Sequence, residues 1–105
     1  MNLQLAVSKS MIFPLPKNIN GLWVSLDQPP TWSFLRLNFE RIQIGVADMV
    51  INGQVQRHGS ILTIHLLGSK PLVAYASLEN QVLELEFVTH RLRFVLEEPL
   101  VLGNN

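Results

Sequence analysis

The strongest constraint in this 105-residue sequence is an alternation of apolar and polar residues that keeps one parity over most of its length. Successive side chains on a strand point to opposite faces. A shift of one residue in any strand would therefore point its polar side chains into the core. The alternation therefore predicts short antiparallel strands that share one core face. The predicted inward residues are Leu35, Leu37, Phe39, Ile42, Ile44, Val46, Met49, Ile51, Val55, Leu62, Ile64, Leu66, Leu72, Ala74, Ala76, Leu83, Leu85, Phe87, Leu92, Phe94 and Leu96.

Short connections between these segments set the predicted register. The predicted turns are Glu40-Arg41, Ala47-Asp48, His58-Gly59, Glu79-Asn80 and Thr89-His90, with a longer loop at Leu67–Pro71. The dipeptide Asn52-Gly53 is a competing hairpin turn, since Asn-Gly favours the tight turns that join two strands. We prefer His58-Gly59 because it keeps Val55 opposite Leu62. Gly45 and Gly53 then lie inside strands and indicate bends or bulges.

This pattern predicts a single all-β domain. Seven strands follow one another as a meander, and the segment from Gly21 to Leu26 supplies an eighth. Eight strands in this order form an up-and-down barrel, closed or nearly closed, because closure removes exposed edges. The alternative is a two-layer β-sandwich or curled sheet completed by the N-terminal segment or by a second subunit. We expect an irregular lead-in or extra strand over 1–20, the meander over 21–97 and a tail over 98–105.

Composition excludes several classes of function. Eight basic and eight acidic residues balance, which removes the electrostatic basis for binding nucleic acid or an anionic membrane. The absence of cysteine excludes disulfides and thiolate metal sites. Lys9 and Ser10 interrupt the only candidate signal segment, and no run of 18 apolar residues occurs. We therefore expect a cytoplasmic protein without a cofactor.

The segment Gly21-Leu22-Trp23, followed by the inferred meander, resembles the first strand of the calycin group, the lipocalin-like barrels. The resemblance covers most of residues 21–97 in topology and three residues in motif. It implies a barrel with a pocket for an apolar ligand. It also implies an arginine on the last strand lying across Trp23, for which Arg91 and Arg93 are the candidates, although the alternation points both outward.

The predicted interior is almost purely aliphatic, so we expect a core filled by its own side chains. If a cavity exists, it lies beside Trp23, near the small residues Gly53, Ala74 and Ala76, and its ligand is apolar. No charged residue has the inward parity that would anchor a carboxylate, a phosphate or a metal ion.

The outward parity retains many apolar residues, which indicates an interaction surface. Val50 beside Leu67 begins a predicted patch, and Val73 and Tyr75 extend the candidate interface. Trp32 either caps the barrel or is an exposed anchor at an interface. Leu3, Leu5 and Val7 also alternate and could add a strand to this sheet or to that of a partner.

Polar residues on the outward parity provide the alternative of a catalytic face. His65 would be the acid or base, oriented by Asn52, with Glu86 and Arg93 nearby as a cross-strand ion pair. His58 and His90 fall in predicted turns, so no spacing predicts a metal site.

Three functions follow from these features. The first is a noncatalytic binding or assembly module that acts through its outer sheet surface and self-associates or binds a protein partner. The second is a lipocalin-like carrier of a small apolar ligand. The third is a small enzyme that uses His65.

Overall fold

The computed structural model describes residues 15–99 and, in β8, the side chains as far as Glu97. The strands are β1 (Gly21–Ser25), β2 (Phe34–Asn38), β3 (Arg41–Val46), β4 (Met49–His58), β5 (Ile61–Leu66), β6 (Leu72–Glu79), β7 (Val82–Glu86) and β8 (Arg91–Pro99). No helix occurs within residues 15–99, and therefore no membrane-spanning helix occurs there. The predicted strand at Leu3, Leu5 and Val7 lies outside the described residues.

The eight strands form a closed antiparallel barrel in simple sequence order, which confirms the predicted fold. Closure depends on β1, which pairs with β2 on one side and with β8 on the other. Gly21 lies opposite both Leu37 and Pro99, so β8 continues two residues into the predicted tail. A bulge between Leu22 and Trp23 interrupts the β1–β8 register, and such bulges increase local twist.

Inward side chains fill the barrel and form one hydrophobic core. Fully or almost fully buried are Trp23, Leu35, Leu37, Ile42, Ile44, Val55, Leu62, Ile64, Ala74, Ala76, Leu83, Leu85, Leu92 and Phe94. Of these, all but Trp23 belong to the predicted inward set, so the shared parity is confirmed. The indole Nε1 of Trp23 donates to the carbonyl oxygen of Ile19 at 2.9 Å, which joins the lead-in to the core.

The predicted register is wrong by two residues at five of the six predicted hairpins, including β5–β6, where Leu72 lies opposite Ile64 and not Leu66, although the parity is right. Leu37, and not Phe39, lies opposite Ile42, and the turn consists of Phe39 and Glu40. Phe39 has a φ of 59° and a side chain that is 61% exposed, so its assignment to the core is wrong. A shift of two residues leaves every side chain on the same face, and therefore alternation alone cannot detect it.

The other displaced turns have the same explanation. β4 and β5 are joined through Gly59-Ser60, which places Val55 opposite Ile64 instead of Leu62. β6 and β7 are joined through Asn80-Gln81, both with positive φ, as the primed hairpin turns require. The loop before β8 spans 87–90 and is closed by a bond from the Phe87 nitrogen to the His90 oxygen at 2.8 Å. The turn at Ala47-Asp48 is confirmed.

Two further residues of the predicted core are exposed. Met49 and Leu96 have the inward parity but lie near the ends of the barrel, where solvent reaches them. Met49 is the first residue of β4, and Leu96 follows the last residue of β8 that pairs with β7, Val95. Position along the strand, in addition to parity, therefore decides burial.

Gly45 in β3 and Gly53 in β4 lie where a neighbouring group takes the place of a side chain. The ring of Phe34 covers Gly45, and the backbone of His65 approaches Gly53. Gly53 lies inside the continuous strand β4, which excludes the alternative hairpin at Asn52-Gly53.

We predict that Gly53→Ala destabilises the barrel, because the added methyl group would collide with the carbonyl oxygen of His65. The free energy of unfolding should fall by about 1–3 kcal/mol, as overpacking does in other cores. Urea unfolding followed by tryptophan fluorescence measures this change. The control Gln56→Ala, at an exposed position of the same strand, should stay within about 0.5 kcal/mol of the parent. Equal midpoints for Gly53→Ala and the parent would contradict the close approach.

Candidate functional site

The interior of the barrel is occupied by side chains where the sequence predicted a possible cavity. Ala74 and Ala76 have no exposed surface, and Trp23 is buried. Gly53 faces the backbone of the neighbouring strand and borders a groove on the outer surface instead of an internal space. The small residues therefore fit between larger neighbours, and binding space must be sought at the ends and on the outside of the barrel.

A pocket of about 330 Å³ opens at the end of the barrel where β1, β3, β5 and β7 begin, which we call the lead-in end. Its lining consists of Lys17, Asn18, Ile19, Asn20, Leu37, Phe39, Val55, Arg57 and Leu62. Leu37, Val55 and Leu62 are buried core residues, whereas Phe39 is largely exposed. The pocket is therefore apolar at its floor and polar at its rim.

Arg57 holds the lead-in across this end of the barrel. Its Nη2 donates to the oxygen of Leu15 at 3.0 Å, its Nη1 to the oxygen of Lys17 at 3.2 Å, and its Nε to that of Gly59 at 2.9 Å. Arg57 has the inward parity of Val55, two residues past it on β4. The expectation that no charged residue has this parity is therefore wrong, because the strand runs to the barrel end, where the guanidinium reaches backbone carbonyls.

An exposed apolar patch lies on the outer face of β5 and β6, and we call it the β5–β6 patch. It consists of Ile61, which is 36% exposed, Val73 at 48% and Tyr75 at 51%. Ile61 lies directly opposite Tyr75, and Val73 lies two residues before Tyr75 on the same face. The structure thus brings together two of the predicted interface residues, Val73 and Tyr75, and adds Ile61.

The other predicted interface residues lie elsewhere. Val50 lies opposite Gly45 on β3, whereas β5 ends at Leu66, opposite Gly53. Leu67 follows the end of β5 and is 93% exposed, so the predicted pairing of Val50 with Leu67 is wrong. The register shift between β4 and β5 separates these two residues along the barrel.

Trp32 is buried, which favours the interpretation that it caps the barrel over that of an exposed anchor. Its ring packs edge-on against Phe87 with 5.6 Å between centroids. Phe87 in turn stacks on His90 at 5.0 Å. These three rings belong to the loops before β2 and before β8, at the end of the barrel opposite the lead-in.

The structure brings together only part of the predicted catalytic face, since Asn52 lies diagonal to His65 on the neighbouring strand, whereas Glu86 and Arg93 lie on β7 and β8. Asn52 accepts a hydrogen bond from Gln43, and His65 lies opposite Gln54 on the neighbouring strand. Glu86 is on β7, which is separated from His65 by the whole of β6.

Register also separates the predicted ion pair of Glu86 and Arg93. Arg93 lies opposite Glu84, and its Nε contacts Asp27 at 3.4 Å. Arg91 lies opposite Glu86, and its Nε is 3.9 Å from Glu84. The predicted pair is therefore wrong, again because the hairpin register is displaced by two residues.

Nor does the described part of the chain bring metal ligands together. Among residues 15–99, no group of three His, Asp or Glu side chains is arranged to hold a metal ion. His58 ends β4, His65 lies within β5, and His90 lies in the loop before β8. The three histidines thus occupy separate parts of the surface.

Comparisons of the chain with models of protein families, with curated protein sequences and with solved structures found no match. The resemblance to lipocalin-like barrels therefore stays a prediction. Gly21, Leu22 and Trp23 do begin β1 of a closed barrel. Arg91 and Arg93 instead point to the opposite face of the sheet from Trp23, with Glu84 and Asp27 as partners.

We predict that Arg57→Met loosens the lead-in, because it removes three hydrogen bonds to backbone carbonyls. The unfolding free energy should fall by about 1–3 kcal/mol. Hydrogen exchange should accelerate more at residues 15–20 than in the strand pair β3–β4, where it reports only the change in global stability. Arg36→Met, at an exposed arginine without such bonds, is the matched control. Unchanged exchange at residues 15–20 in Arg57→Met would contradict this role.

Proposed function

We propose that this protein is a noncatalytic assembly module that self-associates through the β5–β6 patch. The observation that supports the proposal is the juxtaposition of Ile61, Val73 and Tyr75, three exposed apolar side chains on adjacent strands. Tyrosine is enriched at energetically important interface positions because it buries a large rigid surface at a small entropic cost. A filled interior directs binding to the outside of the barrel.

The arrangement around the patch fits a second copy of the same surface. His58, Ile61, Tyr75 and Glu86 lie in one row across four adjacent strands. A twofold axis parallel to the strands and passing between β5 and β6 would place Ile61 of one copy on Tyr75 of the other. The same axis would place His58 on Glu86, so that apolar groups meet apolar groups and a hydrogen-bond donor meets a carboxylate. Twofold interfaces require this kind of self-complementarity.

We predict a dimer in solution that the substitution Val73→Asp converts to a monomer. A carboxylate buried without a partner in an apolar interface is strongly unfavourable, so the dissociation constant should rise by more than about tenfold. Light scattering across a concentration series, on the purified 105-residue chain, measures this directly.

The control for this experiment is Val50→Asp, which places the same charge on an equally exposed valine of another strand. Val50 is 56% exposed and lies outside the β5–β6 patch, so this variant should remain dimeric. A parent chain that is monomeric at every concentration would overturn self-association. Equal effects of the two variants would assign the interface to some other surface.

The pocket at the lead-in end favours a second candidate function, binding of a small ligand with an apolar body. Its volume of about 330 Å³ lies at the lower limit of ligand pockets, which range from about 300 to 1,000 Å³. The apolar floor of Leu37, Val55 and Leu62 would contact the ligand, and the exposed ring of Phe39 would cover it. This position differs from the one predicted near Ala74 and Ala76.

We predict that anilinonaphthalene sulfonate binds this pocket with one saturable site and that Phe39→Asn weakens the binding. Loss of the ring contact should cost about 1 kcal/mol, or about fivefold to tenfold in affinity. Asparagine tolerates the positive φ of residue 39, so the fold should be preserved. Val88→Asn, in the loop at the other end of the barrel, is the control and should leave binding unchanged. A non-saturable fluorescence increase would exclude a defined pocket.

A further inference from the structure

A polar groove of about 540 Å³ crosses the outer face of β2, β3 and β4. It is formed by two neighbouring rows of residues. Each row runs across the three strands and contains one residue from each strand. The first row is Arg36, Gln43 and Asn52, and the second row is Asn38, Arg41 and Gln54. Ile42 and Gly53 also line the groove, and none of these eight lining residues from the described part of the chain is acidic.

The two arginines of this groove differ from the other arginines of the described chain. Arg57 donates to backbone carbonyls, whereas Arg91 and Arg93 contact carboxylates. No carboxylate among the described side chains pairs with Arg36 or Arg41, and both are exposed. The two arginines that have no carboxylate partner among the described side chains therefore lie together on one surface.

Register places these two charges close to each other. Arg36 lies opposite Gln43, and Arg41 lies opposite Asn38, so the arginines occupy diagonal positions on adjacent strands. Diagonal positions of this kind are about 7–8 Å apart, near enough for long side chains to reach a common ligand. Like charges on neighbouring positions repel each other, and an anion bound by both guanidinium groups would relieve the repulsion.

The side-chain amides of the groove supply hydrogen-bond donors and acceptors, in addition to the charges of the two arginines. Nε2 of Gln43 donates to Oδ1 of Asn52 at 2.8 Å. This bond leaves the oxygen of Gln43 as an acceptor and the nitrogen of Asn52 as a donor. Asn38 and Gln54 add further groups of both kinds. Hydroxyl groups, which both donate and accept, match such a lining.

We propose that this groove binds a small organic phosphate that also carries hydroxyl groups, such as a phosphorylated sugar. The two guanidinium groups bind the phosphate, and the amides bind the hydroxyls. A phosphate monoester carries nearly two negative charges at neutral pH, which matches two arginines better than a single carboxylate does. The groove lies on other strands than the β5–β6 patch, so this site is independent of self-association.

The lining argues against single-stranded nucleic acid as the source of the phosphate. Binding of single strands depends on aromatic side chains on which bases stack. None of the described residues that line the groove is aromatic, and the side chain of Ile42 is buried in the core of the barrel. Recognition here depends on hydrogen bonds and charge alone.

Calorimetry and amide chemical-shift mapping on the full chain test the proposal with four probes. These are glucose 6-phosphate, glucose, inorganic phosphate and a short single-stranded oligonucleotide. We expect glucose 6-phosphate to bind saturably and to shift the amides of Arg36, Gln43 and Asn52. Glucose should not bind measurably, and inorganic phosphate should bind more weakly than the sugar phosphate. Higher affinity for the oligonucleotide would overturn the proposal.

The variant that tests the charges is Arg36→Gln combined with Arg41→Gln. It should weaken binding of glucose 6-phosphate by at least about tenfold, since each arginine–phosphate contact is charge-assisted. The control Lys17→Gln with Lys70→Gln removes the same net charge elsewhere and should change affinity little. No saturable binding by the parent, or equal losses in the two double variants, would overturn the site. Equal affinities for inorganic phosphate and the sugar phosphate would overturn the role of the amides.

Discussion

The pairing of β1 with β8 is the interaction on which the rest of this structure depends. β1 is only five residues long, yet it pairs with β2 on one side and with β8 on the other, and this double pairing closes the barrel. Closure leaves the sheet without a continuous free edge and encloses the inward side chains. Trp23, at the middle of β1, lies opposite Leu35 on one side and Leu96 on the other, and its indole binds the lead-in. The core and the lead-in end are thus built around the same strand.

Filling of the interior has a direct consequence for function. An eight-stranded barrel has room for its own side chains or for one small ligand, and here Phe94, Leu35 and Leu85 lie among its fully buried side chains. The features available for recognition are therefore on the outside and at the ends. The β5–β6 patch, the pocket at the lead-in end and the polar groove lie on different parts of the barrel. Each has its own chemistry, so each can be tested without disturbing the others.

The sequence predicts the fold well because one parity is maintained from Leu35 to Phe94. The predicted turns fail for a physical reason, since a shift of two residues preserves that parity. Two of the turns that the structure shows instead contain residues that seldom adopt positive φ, Phe39 and Gln81. Backbone conformation there follows the strand pairing of the whole barrel and not local preference.

The candidate sites, like the fold, are predicted where alternation is sufficient and are missed where the register decides which residues are neighbours. Val73 and Tyr75 come together because they are two residues apart on one strand, which alternation alone predicts. The polar groove and the role of Arg57 depend on register and on the path of the lead-in. The sequence assigns Arg41 and Gln43 to the outer face, but only the actual pairing places Arg36 beside Gln43. The one signal for Arg57 is its parity with Val55.

The most direct test of this account is hydrogen exchange at the amides of β1 and β8. The barrel predicts that these amides exchange as slowly as those of β3 and β4, because all are paired within one closed sheet. The Leu26 amide, which donates to the oxygen of Arg93 at 2.8 Å, should share this protection. Rapid exchange along β1 and β8, with β3 and β4 still protected, would show an open sheet and would contradict closure.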